Sequence, residues 1–330
     1  MKLDPPYYPI IYVRGFAATM SEIENTVATP YMGFNLGSTK IRQDYEGNPV
    51  RFIFESPLIR LIKDFDYSET YHQGDVIDED YVSQLKASGQ NDQLKRSIWV
   101  FRYYEAVSKD LGQGKRLRIP EFARMLRDYI LQIRKLLCDS KEERDNFKVY
   151  LVAHSMGGLI CRCYLQNIMA GKQNFVDKVF TYATPHNGID MLGMNVPDVG
   201  FIDGLHNDNF NRKRMRKYLK IEDSTKDANS LGGAYPVEKF FCFIGSNYKD
   251  YNAFMGLSKK GTGRMSDGLV MIKNAYVRGA ARAFAHRSHS GHYGIVNSEE
   301  GFQNLTRFLF GKFKVSVSLE TEDITLPESV

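Results

Sequence analysis

Ser155, Asp267 and His292 are the residues whose types and settings suit covalent acyl chemistry. A serine hydroxyl becomes a nucleophile when an imidazole takes its proton, and the imidazole does so best when a carboxylate orients it. Ser155 lies in the stretch Val149-Tyr150-Leu151-Val152-Ala153-His154-Ser155-Met156-Gly157-Gly158-Leu159-Ile160. An apolar run breaks there at a small-residue turn, and a helix-compatible segment follows. A turn this sharp pushes the hydroxyl outward and points the helix N-terminus at the chemistry. Side chains two positions either side of the serine would collide, and the residues found there are Ala153 and Gly157. A buried structural serine shares this local pattern. What separates the two readings is whether an acid and a base follow in the right order.

For a strand–turn–helix nucleophile of this kind the chain order is Ser, then Asp or Glu, then His. Downstream of Ser155, Asp267 has the best acid setting: a loop after a strand, with Gly268 behind it. Asp-Gly is also an ordinary turn dipeptide. For the base, His292 is favoured, in a loop between Gly291 and Gly294 just before the last helix. It competes with His286 and His289, which lie on or beside the last strand. His154 precedes the serine and is expected to point away from the attack face as a packing residue. His186 sits in a loop at the same sheet edge, where a structural hydrogen bond is the expected role.

These residues need a scaffold that delivers them to one edge. Apolar, β-rich runs predict strands at 8–13, 51–55, 97–103, 147–152, 175–182, 239–245 and 280–288. Helical spacing predicts helices at 57–65, 119–137, 156–170 and 299–310, the second with Phe122, Met125, Leu126, Ile130, Ile133 and Leu137 on its buried face. Pro120 and Glu121 mark its start. Strands alternating with helices imply a parallel sheet covered on both faces. The expected organisation is one α/β domain over 1–312, with insertions at about 19–95 and 189–236 forming a cap or lid. An edge strand or tail, alternating at Val315, Val317 and Leu319, occupies 313–330.

Composition excludes several classes. The 330 residues are 43% hydrophobic and 25% charged, ordinary values for a globular chain, with a net charge of +5. Positive residues are scattered except for Arg212-Lys213-Arg214-Met215-Arg216-Lys217. That run suits a solvated helix face better than a nucleic-acid patch, and it could attract an anionic membrane surface. No apolar run approaches the roughly 20 residues that span a bilayer. Met1-Lys2-Leu3-Asp4-Pro5-Pro6 lacks the apolar core of a signal peptide. A cytoplasmic setting with reduced thiols is therefore the default, with leaderless export or a trimmed chain left open. Four cysteines at this length are no disulfide framework.

Taken together, Pro9–Phe16, Ala153–Gly158, Thr184–Gly188, Asp267–Val270 and Gly291–Asn297 resemble the motifs of α/β-hydrolase fold lipases and esterases. The similarity is closest to bacterial triacylglycerol lipases and acyltransferase-like acylhydrolases. The resemblance implies an α/β-hydrolase fold, a mostly parallel doubly wound sheet with cap or lid insertions. It implies Ser155 as nucleophile, His292 as general base and acid, and Asp267 as its orienter. It further implies an oxyanion hole from the backbone N–H groups of Phe16 and Met156. The activity implied is serine carboxylic-ester hydrolysis through an acyl-enzyme. A phospholipase or acyltransferase using the same triad, and a non-catalytic binding protein of the same fold, stand as alternatives. No cofactor is expected, and no metal: where calcium-binding relatives carry Asp two residues after the histidine, this chain has Gly294. The expected partners are an ester or lipid substrate and a transient lipid surface, with no nucleic acid; oligomeric state is not legible. Arg14 departs from the family, which usually has His there.

Overall fold

In the computed structural model the described residues are 7–15, 20–29, 31–70, 79–109, 117–196, 207–222, 226–251, 261–313, 315, 318 and 320. The strands in chain order are β1 (Ile10–Val13), β2 (Ser38–Gln43), β3 (Pro49–Phe54), β4 (Ser68–Glu69), β5 (Ser97–Val100), β6 (Val149–His154), β7 (Val176–Tyr182), β8 (Asp190–Met191), β9 (Met194–Asn195), β10 (Phe240–Gly245) and β11 (Ala281–Ala285). Seven of them form one sheet in the order β11-β10-β7-β6-β1-β5-β4, with every pairing parallel. β1 and β5 are buried along their whole length. Strands packed on both faces lose the polar alternation of a half-exposed sheet and read as unbroken apolar runs, which is how they appear in the sequence.

Register decides what the sheet can hold. Val13 pairs with Ala153, His154 with Tyr182, and Gly245 with Ala285. The carboxyl ends of these strands therefore finish level, and the residues following them meet along one edge. The helix Ile119–Leu137 carries the chain from β5 to β6. It starts where the Glu121 carboxylate accepts from the Arg118 N–H at 2.8 Å and buries Phe122, Leu126, Ile130, Ile133 and Leu137; Met125 is half-buried. Burying several aliphatic side chains of this size contributes about 1.5–3 kcal/mol apiece before chain entropy is charged.

Three expectations change in detail. The helix after Ser155 is α-helical only over Met156–Cys163 and then widens to a π-turn at Tyr164–Ile168. The stretch 19–95 is not all cap, because β4 within it joins the main sheet beside β5. At the C-terminus Phe313 and Val315 stand exposed at 90% and 80% outside any strand; Val317 and Leu319 lie outside the described residues. Among the described residues no helix is long and apolar enough to cross a membrane.

Candidate active site

The turn after β6 holds Ser155 at φ 52°, ψ −127°, a conformation that costs a non-glycine residue about 1–3 kcal/mol. The surroundings offset that cost. The Ser155 N–H donates to the Tyr182 carbonyl at 2.8 Å. The Ser155 carbonyl accepts from the Thr184 hydroxyl at 2.8 Å and from the Gly158 N–H at 3.1 Å. The small residues are sterically required: a Cβ on Gly157 would stand 2.3 Å from the Val13 carbonyl oxygen, and one on Gly15 would stand 2.6 Å from the Ser155 Cβ. Ala153 is tolerated inside β6, where it pairs with Val13 and Thr181.

Ser155 and Asp267 are bridged by one imidazole, and it belongs to His289. His289 Nε2 lies 3.0 Å from Ser155 Oγ, and His289 Nδ1 lies 2.8 Å from Asp267 Oδ2. A carboxylate only accepts, so Nδ1 carries the proton and Nε2 is left free to accept from the serine hydroxyl. The second carboxylate oxygen accepts the backbone N–H groups of Leu269 at 3.0 Å and Val270 at 2.8 Å. The His289 N–H donates to the Asp267 carbonyl at 2.9 Å. All three side chains are nearly sealed from solvent, at 4%, 1% and 3% exposure for Ser155, Asp267 and His289.

His292 does not take the place expected for it. Its side chain is exposed, and its carbonyl accepts a hydrogen bond from the Ser38 hydroxyl. The reason is the path of the loop. β11 ends at Ala285, His289 is reached four residues later over the elbow, and the chain then turns at Gly291, whose φ is +90°. That turn, closed by the Gly294 N–H on the Gly291 carbonyl at 2.9 Å, carries His292 outward. Strand-end position gives no signal that would have found it: the last strand, expected over 280–288, ends at Ala285, so the residue directly after it is His286 and not His289.

The other sequence-selected residues also find places. The His154 Nε2 donates to the His289 carbonyl at 2.9 Å, since a carbonyl only accepts, and the two rings lie 5.0 Å apart. It thus supports the backbone that carries the facing imidazole. The His186 Nε2 lies 3.0 Å from the Thr181 hydroxyl, which donates to the Phe241 carbonyl at 3.0 Å; this is a structural contact. The Arg14 guanidinium reaches across to the Met32 carbonyl. The Arg14 and Gly15 carbonyls accept from Tyr103 at 2.9 and 3.1 Å, and Gly15 also from Tyr104 at 2.9 Å. These bonds hold the end of the loop after β1. Of the two expected oxyanion donors, Phe16 lies outside the described residues. The Met156 N–H belongs to the first turn of its helix, where amides have no intrahelical acceptor. Among the described residues no three His, Cys, Asp or Glu side chains converge as a metal site.

Burial and the neighbouring His289 push the His154 pKa down to about 3, and burial beside Arg162 pushes that of His186 well below its ordinary value. Both are therefore neutral in the fold. An unfolded histidine takes up its proton near pH 6.5, so below that pH the unfolded chain binds more protons and stability falls with acidification. The urea midpoint is expected to be flat above about pH 7 and to decline progressively as pH falls through 6.5 toward 4. A His186→Asn variant should show a shallower decline. An unchanged midpoint down to pH 4.5 would contradict the neutral assignment.

A parallel sheet of this order, with its serine in a strained turn after β6 and an acid and a histidine delivered from later strand ends, is the α/β-hydrolase fold. Within the chain, residues 74–197 match the family described as the PGAP1-like alpha/beta domain. The fold is similar to that of phospholipase PlaB from Legionella pneumophila, at 14% identity and a TM-score of 0.50, with 92% of this chain and 60% of that one covered. It is also similar to lipase BlEst2 of Bacillus licheniformis in its mature form, at 16% identity and a TM-score of 0.47, covering 93% and 94% of the two chains. The gene lin2722 product of Listeria innocua aligns at 14% identity and a TM-score of 0.42, over 94% and 96%. No curated protein matches the sequence.

Proposed function

We propose that the protein is a serine carboxylic-ester hydrolase working through an acyl-enzyme, with Ser155 as nucleophile, His289 as general base and acid, and Asp267 as the group that orients and charge-balances the imidazole. The observation that carries this reading is the continuous Ser155–His289–Asp267 hydrogen-bond chain of 3.0 and 2.8 Å. Ser155 Oγ attacks the ester carbonyl carbon while its proton passes to His289 Nε2. The tetrahedral oxyanion is met by the Met156 N–H, with the Phe16 N–H proposed as second donor; each such donor typically lowers the barrier by about 3–4 kcal/mol. His289 then protonates the departing alcohol, the C–O bond to it breaks, and the acyl group stays on Ser155. Water entering the same site gives its proton to His289 and attacks the acyl-enzyme, releasing the acid and restoring the serine.

Three aromatic residues of the insertions belong to the packing. Phe34 and Phe210 are core residues, Phe54 packs against Phe302, and Phe201 lies outside the described residues. Acyl preference is thus read from experiment, by comparing short p-nitrophenyl esters, long-chain esters and phospholipids. The decisive measurement for the reaction class is labelling with a fluorophosphonate probe. Wild-type protein should label at one site and Ser155→Ala should not. Unlabelled wild type, or equal labelling of the variant, would sink the proposal and favour a binding protein that keeps only the fold.

A further inference from the structure

The hairpin formed by β2 and β3 stands apart from the main sheet and presents a face with exposed isoleucines. Its inner side is fastened beside the active site. The Ser38 hydroxyl holds the His292 carbonyl, and Arg42 pairs with Asp250 while lying 3.7 Å over the Tyr293 ring. The opposite face is made by the cross-strand pairs Thr39↔Ile53, Ile41↔Arg51 and Gln43↔Pro49. On it Ile41 is 66% and Ile53 68% exposed. A two-stranded ribbon is marginal by itself and gains nothing in water from two isoleucines on its outer side.

The charges within the two strands have one sign. Neither strand contains a carboxylate, and together they carry Lys40, Arg42 and Arg51. Lys40 and Arg51 make no ion pair among the described residues. The acids Asp44 and Glu46 are confined to the turn, where Asp44 accepts from the Glu46 and Asn48 N–H groups at 2.9 Å each. The basic helix Arg212–Leu219, the surface that composition would favour for an anionic partner, has its arginines engaged. Arg212 pairs with Asp190 at 2.8 Å, Arg214 with Asp208, and Arg216 donates to the Lys226 carbonyl at 2.8 Å.

We propose that the outer face of the hairpin seats the protein on an anionic phospholipid surface, with Ile41 and Ile53 entering the boundary of the acyl layer and Arg51, on the same face, meeting a phosphate. Aliphatic side chains beside a cation match a surface that is negative outside and apolar beneath. A nucleic acid would leave the isoleucines unused. A second copy packed two-fold on this face would set Arg51 against its own like charge. Because the hairpin is tied to the loop carrying His289, docking there brings a lipid ester to the Ser155 edge of the sheet. In that last respect it rests on the hydrolase reading.

The test is co-sedimentation of the full chain with phosphatidylcholine vesicles with and without phosphatidylglycerol, run beside hydrolysis of a soluble p-nitrophenyl ester. Wild type should bind the phosphatidylglycerol vesicles, less so as salt rises. Ile41→Asp combined with Ile53→Asp should lower the apparent partition coefficient by about tenfold or more, and Arg51→Glu by about fivefold or more. Soluble-ester turnover in both variants should stay within about twofold of wild type, since Ile41, Ile53 and Arg51 are exposed and outside the core. Absence of wild-type binding to either vesicle would overturn the proposal, as would undiminished binding by the double isoleucine variant. So would a wild-type dimer, seen by light scattering, that the double variant dissociates without changing vesicle binding. Vesicle binding without soluble-ester turnover would instead sink the hydrolase reading and leave the docking surface standing.

Discussion

Replacing His289 with alanine is expected to lower kcat on a soluble p-nitrophenyl ester by about 10,000-fold or more, while His292→Ala leaves it within about threefold of wild type. The ratio corresponds to about 5.5 kcal/mol of lost transition-state stabilisation. It follows from geometry: His289 Nε2 is 3.0 Å from Ser155 Oγ and its Nδ1 2.8 Å from Asp267, whereas the His292 side chain faces solvent. The His289 substitution is a fair test because the backbone bonds at that position survive it. The His289 N–H to the Asp267 carbonyl and the His289 carbonyl to His154 both remain available in the alanine variant, and a melting curve verifies the fold. Groups that act as one unit are strongly non-additive. The Ser155→Ala/His289→Ala double variant should therefore be about as inactive as either single one. Wild-type activity in His289→Ala, or collapse of activity in His292→Ala, would reverse the assignment.

The second large effect concerns stability. Arg162 is fully buried and has no carboxylate partner among the described residues. Its Nε donates to Gln166 Oε1 at 3.0 Å, Nη1 to the His186 carbonyl at 2.8 Å, and Nη2 to the Ala228 and Ser230 carbonyls at 2.8 and 2.7 Å. Burial lowers its pKa to about 10, so the guanidinium stays charged at neutral pH. Desolvating that charge is costly, and a shape-matched apolar residue would relieve the cost. The same substitution, however, strands the His186 and Ala228 carbonyls and the Gln166 Oε1, while the Ser230 carbonyl keeps the Gln166 Nε2 donor at 3.1 Å; each stranded acceptor costs about 1–3 kcal/mol when left unmade. The carbonyls win the comparison. Arg162→Met is expected to destabilise by about 3–5 kcal/mol in urea titrations, and Arg162→Lys should recover little, because one ammonium cannot reach acceptors spread over residues 166, 186, 228 and 230. A methionine variant as stable as wild type would refute the claim that this guanidinium ties the His186 loop to the 226–231 segment.

Much of the scaffold was legible along the chain because its signals are local. The buried strands are continuous apolar runs, the helix over 119–137 shows its inward face at 3.6-residue spacing, and the turn at Ser155 shows its steric demand in Ala153 and Gly157. Asp267 was legible for the same reason, as an acid in a glycine-backed loop after a strand. The role of Arg14 was not, since its acceptor at Met32 lies in an insertion that carries no sustained period. The basic run at 212–217 stood out in the sequence, yet Asp190 and Asp208 fold back onto it, and exposed isoleucines beside Arg51 lie on β2 and β3 instead.

What the sequence determined by itself is therefore the frame: a parallel sheet, its order of site-bearing loops, the elbow serine and the acid. What only the tertiary structure decided is which histidine closes the chain between them. Three histidines stand within seven residues of one another, and short-range pattern treats them nearly alike. The choice is made by where the chain leaves β11, by the turn at Gly291, and by bonds from His289 to Asp267 and Ser155, 22 and 134 residues away. Contacts at that separation exist only once the sheet has brought its strand ends level.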